Sequence, residues 1–179
     1  MTRSPRRIVV TGPESTGKTT LAAALAQSLS VPWVPEAARV HAEAQLALGR
    51  ALDATDVETI ARLHIANEDA ARGRAGAAQA IVLDTDLIST VVYARHYYGE
   101  CPAWIEAAAR ERLGDRYLLC LPDLPWTADG VRDRPESRGE MLAAFRATLA
   151  EFGARVEVVG GTGVARLERA RAIVAAAGL

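Results

Sequence analysis

Lysine is almost absent from this sequence. Of 21 lysines and arginines in 179 residues, Lys18 is the single lysine and every other cation is arginine. Cysteine is scarce too. Cys101 in "GECPAW" and Cys120 in "YLLCLP" are too few and too isolated for a disulfide framework or a zinc site. Cys120, inside an apolar run, reads as a small buried hydrophobe. No apolar stretch reaches the roughly 18 residues of a membrane span, and "MTRSPRRIVV" has basic residues without an apolar core. A soluble protein of the reducing cytoplasm with no membrane partner is therefore expected. Long runs of one charge are missing and the net charge is −1. Nothing supports a polyanion-binding surface or a nucleic-acid partner. The guanine-reading Asn-Lys-x-Asp tetrad of GTPase switches is also absent. What is present is hydrophobic residue, half of the chain, which excludes disorder. The length suits one domain over 1–179, without linker or repeat. Homo-oligomerisation is left open.

The one lysine falls in "TGPESTGKTTL". Gly12, Pro13, Glu14, Ser15, Thr16, Gly17, Lys18 and Thr19 match the phosphate-loop pattern G-x-x-x-x-G-K-[ST], followed by Thr20. Chance produces such a match on the order of once in 100 chains of this length. Here an apolar strand (7–12) precedes it and a helix from about 17 to 29 follows, the context the motif requires. Gly12 lets the chain turn. Gly17 lets backbone approach phosphate without a side chain in the way. Amides of residues 14 to 19 can meet anionic oxygens at the helix N-terminus. Lysine's compact ammonium fits between two phosphate oxygens, where arginine's planar fork would not. Thr19 offers a hydroxyl to Mg²⁺. A carboxylate beside phosphates is unfavourable, so the Glu14 side chain is expected to face solvent.

Beyond the loop, strands alternate with helices. The apolar runs "AIVLDTD" (80–86), "RYLLCLP" (116–122) and "ARVEVVGG" (154–161) read as strands, and "VPWVPE" (31–36) as at best a short one because of its prolines. Helices are expected near 37–48, 53–72, 87–98, 102–113, 139–152 and 163–177. This pattern predicts a parallel α/β sheet covered on both faces. Asp84 closes the second clear strand, where a carboxylate can enter a metal shell. Asp86 follows, and either carboxylate could instead cap the next helix. "DLPWTADGVRDRPESRG" (123–139) reads as a lid insert. Its Arg132, Arg134 and Arg138 could close on a moving phosphoryl group, or pair with Asp129, Asp133 and Glu136. Trp126 could stack on a flat ligand ring or anchor the lid. Glu36, followed by Arg39 and His41, could take a proton from an acceptor hydroxyl, hold sugar hydroxyls, or simply favour a helix start. Tyr97 and Tyr98 could face the crevice or the core. Trp33 and Trp104 read as packing residues, and His64 and His96 as helix-surface residues. "GGTG" (160–163) could cradle a base through backbone atoms or form an ordinary turn.

Together, "GPESTGKTTL", "VPEAAR", "LDTDLISTVVYARHYYGECP" and "LPDLPWTADGVRDRPESR" resemble the ribosylnicotinamide kinase domain of the NadR-type proteins of bacterial NAD metabolism, over roughly residues 7 to 160. The resemblance implies a P-loop NTPase fold of three α/β/α layers, like the nucleoside monophosphate kinases. It implies a five-stranded sheet of order 2-3-1-4-5, and ATP with Mg²⁺. The activity it implies is transfer of the γ-phosphate to the 5′-hydroxyl of nicotinamide riboside, giving nicotinamide mononucleotide. It places Lys18 and Thr19 on phosphates and metal, Asp84 and Asp86 on metal and substrate hydroxyl, and Glu36 at the ribose end with Arg39 and Tyr97 nearby. It also places Arg132 and Arg134 in the lid and Trp126 on the nicotinamide ring. Full NadR-type proteins carry a nucleotidylyltransferase domain before this one, and that activity is not expected from the residues in hand. A kinase of another nucleoside, or a nucleotide-gated regulatory module, are the alternatives.

Overall fold

Neighbouring residues of the apolar runs point to opposite sides of one sheet. In the computed structural model, which describes residues 4–76, 78–125 and 138–178, these runs form β1 (Arg6–Thr11), β2 (Trp33–Val34), β3 (Ala80–Asp84), β4 (Arg116–Cys120) and β5 (Val156–Val159). All pairings are parallel, in the order β2-β3-β1-β4-β5. This is the order that the resemblance implied. On one side Ile8, Val10, Val82, Leu118 and Val159 pack with Leu21 and Leu25 of α1 (Lys18–Leu29) and Ala170 and Val174 of α7 (Gly163–Ala176). On the other side Val9, Ile81, Leu83, Tyr117 and Leu119 meet four helices. These are α3 (Asp56–Arg74), α4 (Leu87–Tyr98), α5 (Ala103–Glu111) and α6 (Arg138–Glu151). Because both faces are covered, the strands show no apolar–polar alternation. The remaining helix, α2 (Ala37–Ala47), packs on α3. Among the described residues, no helix is long and apolar enough to cross a membrane.

β1 lies between β3 and β4, the place where the winding of the chain reverses. Ligands of open α/β sheets bind in the crevice beyond the strand ends at such a point. The phosphate loop leaves β1 there. Gly12 has φ +134°, and a Cβ on it would come 2.7 Å from the Cys120 carbonyl oxygen at the end of β4. Only glycine lets the loop start so close to the neighbouring strand.

Two sequence expectations are corrected by packing. Trp33 sits on the two-residue edge strand β2 and remains 39% exposed, since an edge strand has no neighbour to cover it. Trp104 does pack against the core, with the Arg62 guanidinium 4.7 Å from its ring centre. His96 is exposed, but His64 is only 5% exposed. His64 belongs to the buried stripe of α3 with Val57, Ile60, Ala61, Glu68 and Ala71. That spacing of three and four was visible in the sequence and marked the face turned inward.

Candidate active site

The loop from Gly12 to Lys18 is held by its own side chains. The Thr16 hydroxyl and the Lys18 ammonium both donate to the Pro13 carbonyl, each at 2.8 Å. Ser15 and Gly17 adopt the left-handed region, with φ of 52° and 71°. For Gly17 the conformation is not the only constraint. A Cβ there would meet the Leu124 side chain at 2.8 Å and the Arg166 guanidinium at 3.3 Å. Lys18 is 4% exposed, whereas Thr19 and Thr20 are exposed on the first turn of α1. Asp84 ends β3 fully buried, in register with Val10 just before the loop. Lys18 and Asp84 both act electrostatically on the Cys120 thiol, as does Arg166, so the three converge at the end of β4. Burial nevertheless dominates there and raises the thiol's pKa.

Beside the loop lies a cavity of about 440 Å³. Its wall from α2 carries Glu36 and Arg39, 3.9 Å apart. α3 contributes Asp56, Ile60 and His64, and α4 contributes Ser89, Thr90, Tyr93 and Tyr97. Arg50, Leu52 and Asp53 from the α2–α3 connection complete it, with Tyr98. The cavity adjoins the loop directly. Glu14 lines it, and Ser89 shares a 3.2 Å hydrogen bond with Thr11, the residue before Gly12. Glu14 is therefore half-buried along the cavity wall rather than solvent-facing, because the cavity adjoins the loop on that side. Two cavity-lining hydroxyls, Thr85 Oγ1 and Thr90 Oγ1, are buried without a hydrogen-bond partner among the described residues.

Electrostatics divide the site. Burial pushes the His64 pKa down to about 4, with Glu36 opposing, so the imidazole is neutral. His41 and Asp56 are joined at 2.6 Å, and that hydrogen bond holds the Asp56 carboxyl below its usual range. Asp86 takes the helix-capping role that was one of its two readings from sequence. Its carboxylate accepts from the Ile88 amide at 3.0 Å, capping α4, and from the Tyr117 hydroxyl at 2.5 Å. It is not among the residues that line the cavity. Burial raises its pKa to about 6, against the opposing hydrogen bond from Tyr117.

Of the residues singled out from sequence, the structure brings Glu14, Glu36, Arg39 and Tyr97 together around the cavity and Lys18 beside it. Arg132, Arg134 and Trp126 lie outside the described residues. His64, Asp53, Asp56, Arg50, Thr85, Thr90 and Tyr93 had not been singled out for the site. They come from four separate segments, and only the helical stripe containing His64 carried a sequence signal.

A family model described as an AAA domain matches residues 7–166. The chain is 29% identical over 159 residues to the trifunctional NAD biosynthesis/regulator protein NadR of Escherichia coli (strain K12), covering 85% of this chain and 38% of that protein. It is 30% identical over 128 residues to the protein of the same name from Salmonella typhimurium (strain LT2), covering 71% and 31%. The chain thus spans about a third of the length of the curated relatives it matches. Among solved structures, NadR protein in complex with NR is 26% identical with a TM-score of 0.79, covering 98% of this chain and 50% of that one. NadR with NAD and AMP-PNP matches equally well. Thymidylate kinase from Ehrlichia chaffeensis, 14% identical, has a TM-score of 0.66 over 99% of this chain and all of that one, a likeness of fold alone.

Proposed function

The chain belongs to the AAA domain family, is homologous to NadR and is a nucleotide-binding, kinase-like phosphate-loop protein; from that premise we propose that it phosphorylates nicotinamide riboside with ATP. The observation that carries this reading is the cavity opening beside the phosphate loop. Nicotinamide riboside is a ribosylated pyridinium, flat and cationic at one end and rich in hydroxyls at the other. The cavity has both complements. Four carboxylates line it (Glu14, Glu36, Asp53 and Asp56) against two guanidiniums (Arg39 and Arg50). Tyr93, Tyr97 and Tyr98 supply ring faces, which attract a flat cation. The same carboxylates and guanidiniums can hydrogen-bond sugar hydroxyls.

In this reading the chain's own groups do little covalent chemistry and much positioning. Loop amides hold the β- and γ-phosphates, and Lys18 neutralises charge between them. Glu36, buried at the start of α2, receives the proton of the acceptor hydroxyl, with Arg39 beside its carboxylate. Asp86 is spent on its cap and on Tyr117, so the role falls to Glu36. Arg132 and Arg134 are proposed to meet the moving phosphoryl group and Trp126 the nicotinamide ring. The residues present also fit Mg²⁺. The Thr19 hydroxyl and Asp84 carboxylate are hard oxygen donors beside the loop. Among the described residues no group of three or more His, Cys, Asp or Glu could hold a metal, as suits an ion held largely by phosphates and water. When bound, the ion would offset charge on the transferred group.

ADP release measured with a panel of ribo- and deoxyribonucleosides tests the reading. Nicotinamide riboside is expected to stimulate release most. Greater stimulation by another nucleoside replaces the acceptor, and turnover indifferent to every acceptor refutes transfer. Changing Tyr97 to Ala is expected to raise KM for the acceptor about 2- to 30-fold, from a cation–π contribution of about 0.5–2 kcal/mol, leaving KM for ATP unchanged.

A further inference from the structure

A buried guanidinium stands against the phosphate loop with only weak partners, the Cys120 sulfur and one distant carbonyl. Arg166, on the first turn of α7, is 4% exposed. Its Nη2 reaches the Val159 carbonyl only at 3.5 Å, and its Nε is buried without a hydrogen-bond partner among the described residues. None of the described carboxylates forms an ion pair with it. Arginine carries five donors in a fixed fork. A buried, unpaired cation costs several kcal/mol unless something compensates it. Among the described residues no carboxylate supplies that compensation, and a Cys120 thiol whose pKa is raised by burial is a weak, uncharged acceptor.

The surroundings indicate what would supply it. Arg166 Nη1 lies 3.3 Å from the position a Cβ of Gly17 would take, so the guanidinium flanks the Gly17 end of the loop's amides. Gly17 is the N-cap of α1, and Arg166 sits one turn into α7, so two positive helix ends meet here. Lys18 adds its ammonium, and both cations reach the Cys120 thiol electrostatically. Asp84 acts on the same thiol and is the one carboxylate in that group. Leu124, also against Gly17, offers only a hydrocarbon wall.

We propose that Arg166 is a second cation of the nucleotide site, binding phosphate oxygens of a nucleoside triphosphate together with Lys18. The inference rests on the nucleotide-binding character of the loop and not on the identity of the acceptor. A Cβ at position 17 would crowd both Leu124, at 2.8 Å, and the guanidinium, at 3.3 Å, so glycine keeps this side of the loop open. It also gives a role to the last helix, whose sequence carried no functional signal.

The test is Arg166→Met, which keeps the volume and removes charge and donors. Affinity for ATP and for inorganic tripolyphosphate, measured by calorimetry, is expected to fall tenfold or more, with adenosine binding unchanged. The melting temperature without ligand is expected to hold or rise, because a lone buried charge has been removed. Arg166→Lys should recover part of the lost affinity, since it restores the charge without the fork. ATP affinity within twofold of the parent overturns the proposal, and so does an equal loss for adenosine. If Arg166→Met does not fold, the Arg166 Nε–H resonance of the parent protein decides. It must move on saturation with tripolyphosphate, and an unmoved resonance refutes the assignment. These measurements need no acceptor. A nucleoside panel that stimulates nothing would remove the kinase reading and leave this result standing, and the converse holds equally.

Discussion

Replacing Lys18 by Ala is expected to lower kcat/KM by at least about 100-fold, since one preorganised group stabilising transition-state charge is worth roughly 2.7–4 kcal/mol. The loop prepares the ammonium for that task. It is 4% exposed and anchored by a 2.8 Å bond to the Pro13 carbonyl, so no reorganisation is needed to bring a charge near the phosphates. The backbone on either side is committed as well, with left-handed residues at Ser15 and Gly17. Arginine at position 18 should fail nearly as badly. A planar fork cannot replace a compact ammonium that is 4% exposed and bonded to the Pro13 carbonyl, and a sequence that uses arginine for every other cation keeps lysine here. Folding should survive, because only one side chain is truncated and the loop keeps other anchors, among them the Thr16 hydroxyl's bond to the Pro13 carbonyl. Steady-state kinetics and a urea midpoint measured on the same preparation check both halves. Activity of Lys18→Ala within tenfold of the parent would remove the role assigned to the ammonium.

The second large effect is hidden in the parent protein and appears only in variants. Asp86 and His64 are both buried, and their pKa values move in opposite directions through the same pH window. The Asp86 pKa is raised from 3.8 to about 6 by burial. Its contribution to stability is therefore complete below pH 4 and is lost as pH rises through 6. The His64 pKa is lowered from 6.5 to about 4, again by burial. Its contribution is complete above pH 6.5 and is lost as pH falls through 4. Each displacement is worth on the order of 3 kcal/mol, and the two slopes nearly cancel. Changing His64 to Gln should leave a protein whose unfolding free energy falls between pH 4 and 6.5. Changing Asp86 to Asn should leave one whose stability rises over the same range, and the double variant should be flat again. Urea unfolding at half-unit pH intervals reads the slopes directly, independent of any constant offset from the substitutions. Parallel curves for parent and both single variants would show that neither group titrates in this window.

The pair also illustrates how separate parts of the fold were readable to different degrees. The strand–helix alternation, the parallel sheet and the phosphate loop were legible because each is set by neighbours in the chain. Continuous apolar runs mark strands covered on both faces, period-three-to-four patterns mark the buried helix faces, and Gly12 to Thr19 fold over their own hydrogen bonds. Helix ends such as Gly99 in the left-handed region followed from single residues. His64 was readable in principle, since it falls on the same stripe as Ile60 and Ala71.

Asp86 was not. Its two-residue spacing from Asp84 allowed a cap or a ligand equally, and only Tyr117, 31 residues away on β4, resolved the choice by taking the second oxygen. Arg166 depended on Gly17, far off in the chain, and the cavity drew its carboxylates, hydroxyls and rings from the loop, α2, the following connection, α3 and α4. By itself the sequence determined the phosphate loop, because Gly12 to Thr19 are one contiguous segment held by its own hydrogen bonds. What stands opposite that loop was decided by tertiary structure alone, because burial and electrostatic partners are properties of surfaces brought together across the sheet, and no local pattern encodes them.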